Sequence, residues 1–369
     1  MVTEFSEKSF FLKAFHGLTL ALVLSRESDP QPETMHALAG VLQDLFAHRV
    51  KALFLVQETS QIRDFLHALD ERLHHACHHL ATFQPGEIPV ALWRRPAMWT
   101  SLGFAIPEIP QFLEQVARLG SVLRLPRVLL IDHAGGQAWR DDKNVRPGFV
   151  NAHRLRNFPE TPENRLYLPA IRTLLSGGVG AVTLCRLQDL ETELFSYEGA
   201  GIFFARRHYC QVRRLTLDDY TQAAAMIRRG EREGFLLPRS DEEVTALLTQ
   251  GFGAFISEHH LAGVCGLVTA PYREENCGEI TALYALTRFH GEGVGARMVI
   301  RIVQEARRSG LRALFACVGD RRAVEFFGHH GFRTVAHSAL PDAKWRHYDP
   351  ARKSRITCLL KDLPPIAGS

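Results

Sequence analysis

Apolar residues in the first half of the chain alternate between short continuous runs and runs at helical spacing. The runs Leu18–Leu24, Ala52–Val56 and Arg127–Ile131 have the length of buried strands. Residues Glu33–His48 repeat apolar positions every three or four residues, which predicts an amphipathic helix. The same criteria predict helices at Ile62–His79 and Leu166–Leu175 and strands at Val90–Trp93 and Val179–Leu184. Strands that alternate with helices indicate an α/β fold with a largely parallel sheet and helices on both faces.

The order of elements changes near residue 206, where a glycine-rich segment leads into a new strand. We therefore predict two domains, 1–205 and 206–369, the second of mixed α+β type. The predicted strands of the second domain are Val212–Arg214, Gly253–Ser257, Ala262–Thr269, Glu279–Leu286, Ala313–Val318 and Arg355–Leu360. Its predicted helices are Tyr220–Gly230, Asp241–Gln250, Val294–Arg308 and Arg321–His329.

Composition excludes several classes of protein. Hydrophobic residues make up 46% and charged residues 23% of the 369 residues, which is typical of a globular protein. A net charge of +4 is too small to favour nucleic acid or an anionic membrane as a partner. The apolar runs are too short for membrane helices, and the first residues do not form a signal peptide. Seven scattered cysteines indicate reduced thiols and a cytoplasmic location.

A glycine-rich loop, HGEGVG, follows the strand EITALYAL and precedes an amphipathic helix. Glycines at 291, 293 and 295 allow tight turns and leave amide N–H groups uncovered at a helix N-terminus. This arrangement favours a phosphate ligand, with a plain turn before a helix as the alternative.

This strand, loop and helix resemble the acetyl-coenzyme-A motif of the GNAT acetyltransferase superfamily, with His290 where Arg or Gln is usual. The later segment DRRAVEFFGHHGF looks like the element beside the thiol of coenzyme A, with Asp320 in place of Asn and Phe327 in place of a Tyr acid. The resemblance implies acetyl-CoA as co-substrate and no metal. The implied cofactor contacts are Leu283, Tyr284, Ala285, His290, Gly291, Gly293, Val294, Gly295, Asp320 and Phe327.

The segments EREGFLLPRS and LPDAKWRHYDPARKS are similar to motifs of bacterial N-acetylglutamate synthases. This resemblance implies L-glutamate as acceptor, in the first step of arginine biosynthesis. The implied substrate contacts are Leu236, Arg239, Lys344, Arg352 and Ser354. Arginine forms forked hydrogen bonds with carboxylates, so Arg239 and Arg352 suit the two carboxylates of glutamate.

Acetyl transfer to an amino acid needs a base, because its amine is mostly protonated at neutral pH. Glu279 corresponds to the Glu of the family's Gly-Glu pair and is our candidate base. A backbone N–H near Tyr284 or Ala285 is the expected oxyanion donor. Tyr348 is a candidate acid for the leaving thiolate, with water or departure as thiolate as alternatives.

In the same family the partner domain has an amino-acid-kinase fold. The Lys-x-Gly-Gly turn of that fold is missing after the first strand here, so we predict a degenerate domain without phosphoryl transfer. The segment ETELFSYEGAGIFF resembles the family's arginine-binding stretch and implies Glu193, Gly199 and Gly201 as contacts for an L-arginine effector. A homo-oligomer is expected.

Two alternatives to glutamate acetylation stay open: a GNAT enzyme with another amine acceptor, and a non-catalytic arginine-sensing module. The cluster His74, His75, Cys77, His78 and His79 is interpreted as a polar helix face rather than a metal site.

Overall fold

The computed structural model describes residues 6–74, 78–80, 98–142, 144–205, 210–256, 260–286, 293–346 and 348–363. The chain divides into two compact units, Met1–Tyr209 and Cys210–Ser369.

The described part of the first unit contains an eight-stranded sheet in the order β3-β4-β2-β1-β5-β7-β8-β6. The strands are β1 (Thr19–Leu24), β2 (Lys51–Gln57), β3 (His78–Leu80), β4 (Trp99–Phe104), β5 (Arg127–Ile131), β6 (Phe149–Asn151), β7 (Ala181–Cys185) and β8 (Ile202–Ala205). Neighbouring strands are parallel except for β7 and β8, which are antiparallel. The predicted α/β fold with a largely parallel sheet is confirmed.

Helices cover this sheet because its strands are apolar on both faces. The helices are α1 (Glu7–Ala14), α2 (Pro32–Ala47), α3 (Ser60–Leu73), α4 (Ile109–Leu123), α5 (Ala152–Arg156), α6 (Leu168–Ser176) and α7 (Leu190–Phe195). Val23 and Leu130 on one face pack with α4 and α6 in a single buried cluster. Leu22 and Leu129, which point the other way, are also buried. Burial on both faces explains why these strands are continuous apolar runs.

One predicted helix of the first unit is too long. The pattern predicts a helix over Ile62–His79, but α3 ends at Leu73 because His74 adopts a left-handed backbone conformation, with φ 51°. Residues 78–80 form β3 instead. The predicted strand Val90–Trp93 lies outside the described residues. The predictions omit strand β4, whose apolar run is interrupted by Thr100 and Ser101 although the strand is fully buried. They also omit helix α4, although its buried residues, such as Phe112 and Val116, recur at helical spacing.

The described part of the second unit contains a seven-stranded sheet in the order β14-β15-β13-β12-β11-β10-β9. The strands are β9 (Cys210–Arg214), β10 (Gly251–Ile256), β11 (His260–Val268), β12 (Cys277–Ala285), β13 (Ala313–Val318), β14 (Arg333–Val335) and β15 (Thr357–Asp362). Neighbours are antiparallel except for β12 and β13, which are parallel.

Helices of the second unit follow the predicted periodicity closely. They are α8 (Tyr220–Arg232), α9 (Asp241–Thr249), α10 (Val294–Arg308), α11 (Arg321–His329) and α12 (Pro350–Lys353). The apolar stripe of α10, which includes Met298 and Ile302, is buried and packs on β10, β11 and β12. Within the described ranges, no helix is both long and apolar enough to cross a membrane.

Candidate active site

Strands β12 and β13 separate part of the way along the second sheet. They pair only where Cys277–Glu279 lies beside Ala313–Phe315, although β12 continues to Ala285 and β13 to Val318. Beyond Glu279, the facing edges of the two strands are therefore not paired with each other. The candidate site is built around this separation.

A β-bulge in β12 lies beyond the point of separation. Ala282 and Leu283 together face the single residue Cys265 of β11, and Ala282 has a positive φ of 50°. Bulges bend a strand and re-aim its side chains, and they are frequent beside active sites. The bulge thus sets the direction of Tyr284 and Ala285, which follow it.

The carboxylate of Glu279 is buried where the strands separate, and both of its oxygens accept hydrogen bonds. Lys344 Nζ lies 2.5 Å from Oε1, and the Tyr272 hydroxyl donates to Oε2 at 2.6 Å. The Tyr272 ring packs edge-on against Phe315, with centroids 4.9 Å apart. Burial is the main cause that raises the pKa of Tyr272, and the negative charge of Glu279 raises it further. The phenol therefore stays neutral and remains a donor to the carboxylate.

Lys344 also brings Tyr348 to this cluster. Its ammonium lies 5.1 Å from the centre of the Tyr348 ring, at a distance that permits a cation–π contact. Burial raises the pKa of the Tyr348 hydroxyl, and the nearby charge of Lys344 opposes that shift. Tyr348 is therefore protonated at neutral pH and lies beside the ion pair of Lys344 and Glu279.

Arg239 approaches the same face of β12 from the segment between α8 and α9. Its guanidinium donates to the Thr281 hydroxyl at 3.1 Å and to the carbonyl of Leu237 at 2.8 Å. Burial lowers the pKa of Arg239; the charge of Arg352 acts in the same direction, and that of Glu279 opposes it. Arg239 therefore lies within electrostatic reach of both Glu279 and Arg352.

The described part of the glycine loop forms the start of α10. Gly293 is the N-cap residue with φ 78°, a conformation that suits glycine, and Val294 is buried behind it. A Cβ at Gly295 would lie 3.3 Å from the Phe326 ring, so this position favours glycine as well. The first amides of α10 follow directly, as a phosphate site requires. His290 and Gly291 lie outside the described residues.

Three predicted cofactor residues have definite structural partners. Asp320 caps α11 by accepting from the amide of Arg322 at 3.1 Å, and Phe327 is buried against Phe332 with ring centroids 5.1 Å apart. The hydroxyl of Tyr284 donates to Glu233 at 2.7 Å. These contacts fix the residues in place, and a coenzyme contact at any of them stays a prediction.

Leu236 and Ser354 lie at the margin of the cluster. The side chain of Leu236 packs so closely on Gly230 that a Cβ there would approach to 2.9 Å, and the ring of Tyr284 lies 3.1 Å from the same point. The exposed hydroxyl of Ser354 donates to the carbonyl of Ala351 at 3.0 Å, within its own turn. Leu236 therefore lies next to β12, while Ser354 is engaged in its own turn.

In the first unit, the predicted effector residue Glu193 is buried with an internal cation. Arg127 donates to its Oε1 at 2.9 Å, and the amides of Ala200 and Gly201 donate to Oε2 at 3.0 and 2.9 Å. A Cβ at Gly201 would lie 2.4 Å from the carbonyl oxygen of Leu184, so only glycine fits there. The carboxylate is thus already bound to a guanidinium of the same chain.

Two aromatic rings and a turn complete this internal site. The Arg127 guanidinium lies 5.7 Å from the Phe15 ring centre and 5.1 Å from that of Phe203. Gly199, with φ 58°, donates its amide to the Ser196 hydroxyl at 3.0 Å.

The histidine cluster is only partly described. His74 is the C-cap of α3, His78 and His79 lie on β3, and His75 and Cys77 are outside the described residues. Within the described part of the chain, no three His, Cys, Asp or Glu side chains are grouped as metal ligands.

Sequence patterns missed three residues of the candidate site. Tyr272 donates a hydrogen bond to Glu279, and Thr281 accepts one from Arg239. Glu233 accepts one from Tyr284. Thr281 lies two residues after Glu279 on the same strand, so the alternation of β12 gave a signal for it. Tyr272 lies on a short 3-10 helix at Ala270–Tyr272, for which no periodic signal exists.

A family comparison defines the class of this second unit. Residues 211–332 match the model of the Acetyltransferase (GNAT) family. The second unit thus contains a GNAT acetyltransferase domain, as the loop and its flanking elements predict.

The particular relatives are amino-acid acetyltransferases. The enzyme of that name from Neisseria meningitidis serogroup A is 30% identical over 189 residues, which cover 50% of this chain and 42% of the relative. The one from Serratia proteamaculans is 31% identical over 174 residues, which cover 47% of this chain and 38% of the relative. In sequence, the chain therefore aligns with less than half of the length of these relatives.

A solved structure matches almost the whole chain in fold. It is N-acetylglutamate synthase from Neisseria gonorrhoeae complexed with coenzyme A and L-arginine, with a TM-score of 0.57 and 17% identity, covering 97% of this chain and 98% of that one. The likeness shows that both units share the fold of that protein.

Proposed function

We propose that this chain transfers the acetyl group of acetyl-CoA to the α-amino group of L-glutamate. The observation that carries the proposal is the buried carboxylate of Glu279 at the point where β12 and β13 separate, with Arg239 within electrostatic reach of both this carboxylate and Arg352. A base beside two guanidinium groups suits an amine that carries two carboxylates.

The chain offers acetyl-CoA two kinds of polar contact. The first amides of α10 after Gly293 would hold the diphosphate, since the positive end of the helix dipole favours anions. The edge of β12 beyond Glu279 would bind the extended arm of the coenzyme, with a backbone N–H near Tyr284 or Ala285 directed at the thioester oxygen. The GNAT match of residues 211–332 supports this arrangement.

Glutamate would be oriented by charge before it reacts. Arg239 and Arg352 would take its carboxylates, and Lys344, which is neutralised by Glu279, would hold the base in place. Glu279 would then remove the ammonium proton, directly or through one water, and the free amine would attack the thioester carbon. Collapse of the tetrahedral adduct breaks the carbon–sulfur bond and releases the coenzyme A thiolate.

Tyr348 suits hydrogen-bond donation to that thiolate better than full proton transfer. Burial raises the pKa of Tyr348 above the ordinary tyrosine value of about 10, whereas the pKa of a free thiol is about 8.5. Complete transfer from the phenol to the thiolate is therefore uphill, and solvent supplies the proton in our proposal.

For the first unit we propose a regulatory or structural role, with L-arginine as effector at Glu193. Free arginine would compete with Arg127, because this side chain already occupies the carboxylate. The solved relative was crystallised with L-arginine, which supports arginine as the ligand to test. We also propose a homo-oligomer, which light scattering of the purified chain would test.

A thiol-release assay with acetyl-CoA and each of the twenty amino acids tests the acceptor. We expect release with glutamate to exceed release with aspartate and glutamine, because glutamate alone has both carboxylates at the required separation. If another amino acid were acetylated faster than glutamate, the proposal of glutamate as the acceptor would be wrong. If calorimetry also detected no binding of acetyl-CoA, the non-catalytic alternative would be favoured.

Substitution Glu279→Gln tests the base. The amide keeps the shape of the side chain but accepts no proton, so we expect kcat to fall by about 10²- to 10⁴-fold, measured by thiol release. Glu274→Gln, an exposed carboxylate in the preceding loop, is the matched control and is expected to keep wild-type kcat. Near wild-type turnover by Glu279→Gln would remove this residue from the mechanism.

A further inference from the structure

Two cysteines of the second unit face each other across neighbouring strands. Cys317 of β13 and Cys358 of β15 are direct partners in an antiparallel register that runs without a shift from Ala313↔Asp362 to Val318↔Thr357. Side chains of directly opposite residues lie on the same face of a sheet. The two thiols therefore point to one face of the sheet.

The hydrogen-bond pattern shows which type of pair they form. The amide of Leu363 donates to the carbonyl of Arg312 at 2.7 Å, so this pair, one step beyond the register, is hydrogen-bonded. Hydrogen-bonded and non-hydrogen-bonded pairs alternate along an antiparallel ladder. Cys317 and Cys358 lie five residue pairs beyond Arg312 and Leu363, and an odd number of steps leads to the other type. They therefore form a non-hydrogen-bonded pair, the type whose side chains come closest.

This geometry satisfies the requirements of a disulfide. Non-hydrogen-bonded pairs have Cα atoms about 4.5 Å apart, within the range of about 4.4–6.8 Å that disulfides span. The two thiols are also close enough to influence each other's pKa. Both are free thiols in this structure.

The other described cysteines that lie on strands have different partners. Cys185, Cys210 and Cys265 lie opposite Ile131, Ile256 and Phe252, and Cys277 lies opposite Ala313. Among the described residues, the register thus selects a single pair for cross-linking.

We propose that Cys317 and Cys358 are a redox modification site that forms a reversible disulfide with a low-molecular-weight disulfide as oxidant. Cys317, which is partly exposed, attacks the oxidant as a thiolate; a mixed disulfide forms and one thiol leaves. The thiolate of Cys358 then attacks the sulfur of Cys317, the second thiol leaves, and the internal disulfide forms. The protein loses two protons and two electrons, and the oxidant is reduced to two thiols.

Local charges set the rate of this reaction. Burial raises the pKa of both thiols, and the positive charge of Lys344 acts against this shift at both; Lys353 adds to it at Cys358. Glu279 raises the pKa of Cys317 further. Thiolates are the reactive form, so the exchange is slow at neutral pH and the pair stays reduced unless an oxidant persists.

The pair lies beside the candidate active site but does not depend on it. Phe315, the partner of Glu279 on β13, is two residues before Cys317, so these three side chains share one face of the sheet. If the chain proved inactive as a glutamate acetyltransferase, the disulfide proposal would be unaffected, because its test measures thiols rather than turnover.

The experiment is incubation of the full chain with oxidised glutathione at mildly alkaline pH, followed by denaturation, alkylation and peptide mapping. We expect five of the seven cysteines to be alkylated, a cross-link between the peptides of Cys317 and Cys358, and full recovery of thiols with dithiothreitol. Seven alkylated cysteines, or a cross-link at any other pair, would overturn the proposal.

Single variants separate the two steps. In Cys358→Ala the resolving thiol is missing, so a glutathione adduct is expected to accumulate on Cys317. Cys277→Ala, on the same face of the sheet, is the matched control and is expected to form the cross-link as the wild type does. A wild-type adduct at Cys317 without the cross-link would also contradict the proposal, and that result requires no variant to fold.

Discussion

Glu279 is surrounded by groups that fix its charge and its position. It accepts from Lys344 and Tyr272 while nearly buried, with 7% of its surface exposed. A buried ion pair contributes little net stability, because the cost of desolvating the two charges offsets their attraction. Removing one partner is nevertheless destabilising, because it leaves the other charge buried and unpaired. The desolvation cost of this ion pair is consistent with a carboxylate that serves catalysis rather than folding.

Arg352→Ala tests the dicarboxylate interaction at the scale of one residue. Loss of a charge-assisted hydrogen bond worth about 1.5–3 kcal/mol is expected to raise the KM for glutamate roughly 10- to 100-fold. The KM for acetyl-CoA is expected to be unchanged. Steady-state thiol release with each substrate varied in turn measures both constants.

Arg355→Ala is the control for this substitution, since Arg355 is exposed three residues further along the chain. An equal rise in the glutamate KM for both variants would mean that general positive charge, and not a contact at Arg352, attracts the substrate.

At the scale of elements, the start of α8 depends on one carboxylate. Asp219 accepts from Arg213 at 2.9 Å and from the amide and hydroxyl of Thr216 at 2.8 Å. Burial alone would raise the pKa of Asp219, but these hydrogen bonds outweigh it and the pKa is lowered. The ionised carboxylate therefore ties the end of β9 to the helix that precedes Arg239.

Asp219→Asn is expected to reduce the free energy of unfolding by about 1 kcal/mol at pH 7. Because the folded-state pKa of this carboxyl is depressed, its contribution is present above the unfolded value of about 3.9 and disappears as pH falls through the folded value. Urea denaturation at pH 7 and at a pH below the depressed folded-state pKa measures the difference, with exposed Asp218→Asn as control. A deficit that persisted in acid would assign the effect to packing instead of charge.

The contact between Arg127 and Glu193 makes a prediction about arginine. Arg127→Met removes the guanidinium but keeps the apolar stem between the rings of Phe15 and Phe203. An unpaired buried carboxylate costs about 3–5 kcal/mol, so free arginine is expected to bind this variant at least tenfold more tightly than it binds the wild type. Isothermal calorimetry measures both dissociation constants.

Arg118→Ala, a surface change on α4, is expected to bind arginine as the wild type does. Equal affinity of Arg127→Met and the wild type would place any arginine site away from Glu193.

At the scale of the whole molecule, the two compact units are expected to respond differently to acetyl-CoA. A ligand that binds only the folded state stabilises it by about 2.7 kcal/mol at one hundred times its dissociation constant. Hydrogen exchange of the full chain with acetyl-CoA is expected to show added protection in β12 and the first turns of α10, and unchanged exchange in β1 and β5. Added protection in β1 and β5 alone would contradict the proposed coenzyme site.

The sequence by itself determined the parallel α/β character of the first unit, because periods of two and 3.6 residues report burial directly. The GNAT character of the second unit followed from the resemblance of its loop and helix motifs to that superfamily. Helix α10 and strands β5 and β13 have the predicted bounds for this reason. Local motifs also predict a base at Glu279 and substrate contacts at Lys344, Arg239 and Arg352.

Only the tertiary structure decided which of these groups meet. The occupation of Glu193 by Arg127 and the pairing of Cys317 with Cys358 join residues distant in sequence. The donation by Tyr272 to Glu279 joins residues only seven apart, but they lie on different elements whose packing no local pattern specifies. The end of α3 depended on the left-handed backbone of His74, which apolar periodicity does not encode. Such contacts arise from strand register and strand separation, which depend on the packing of the whole sheet.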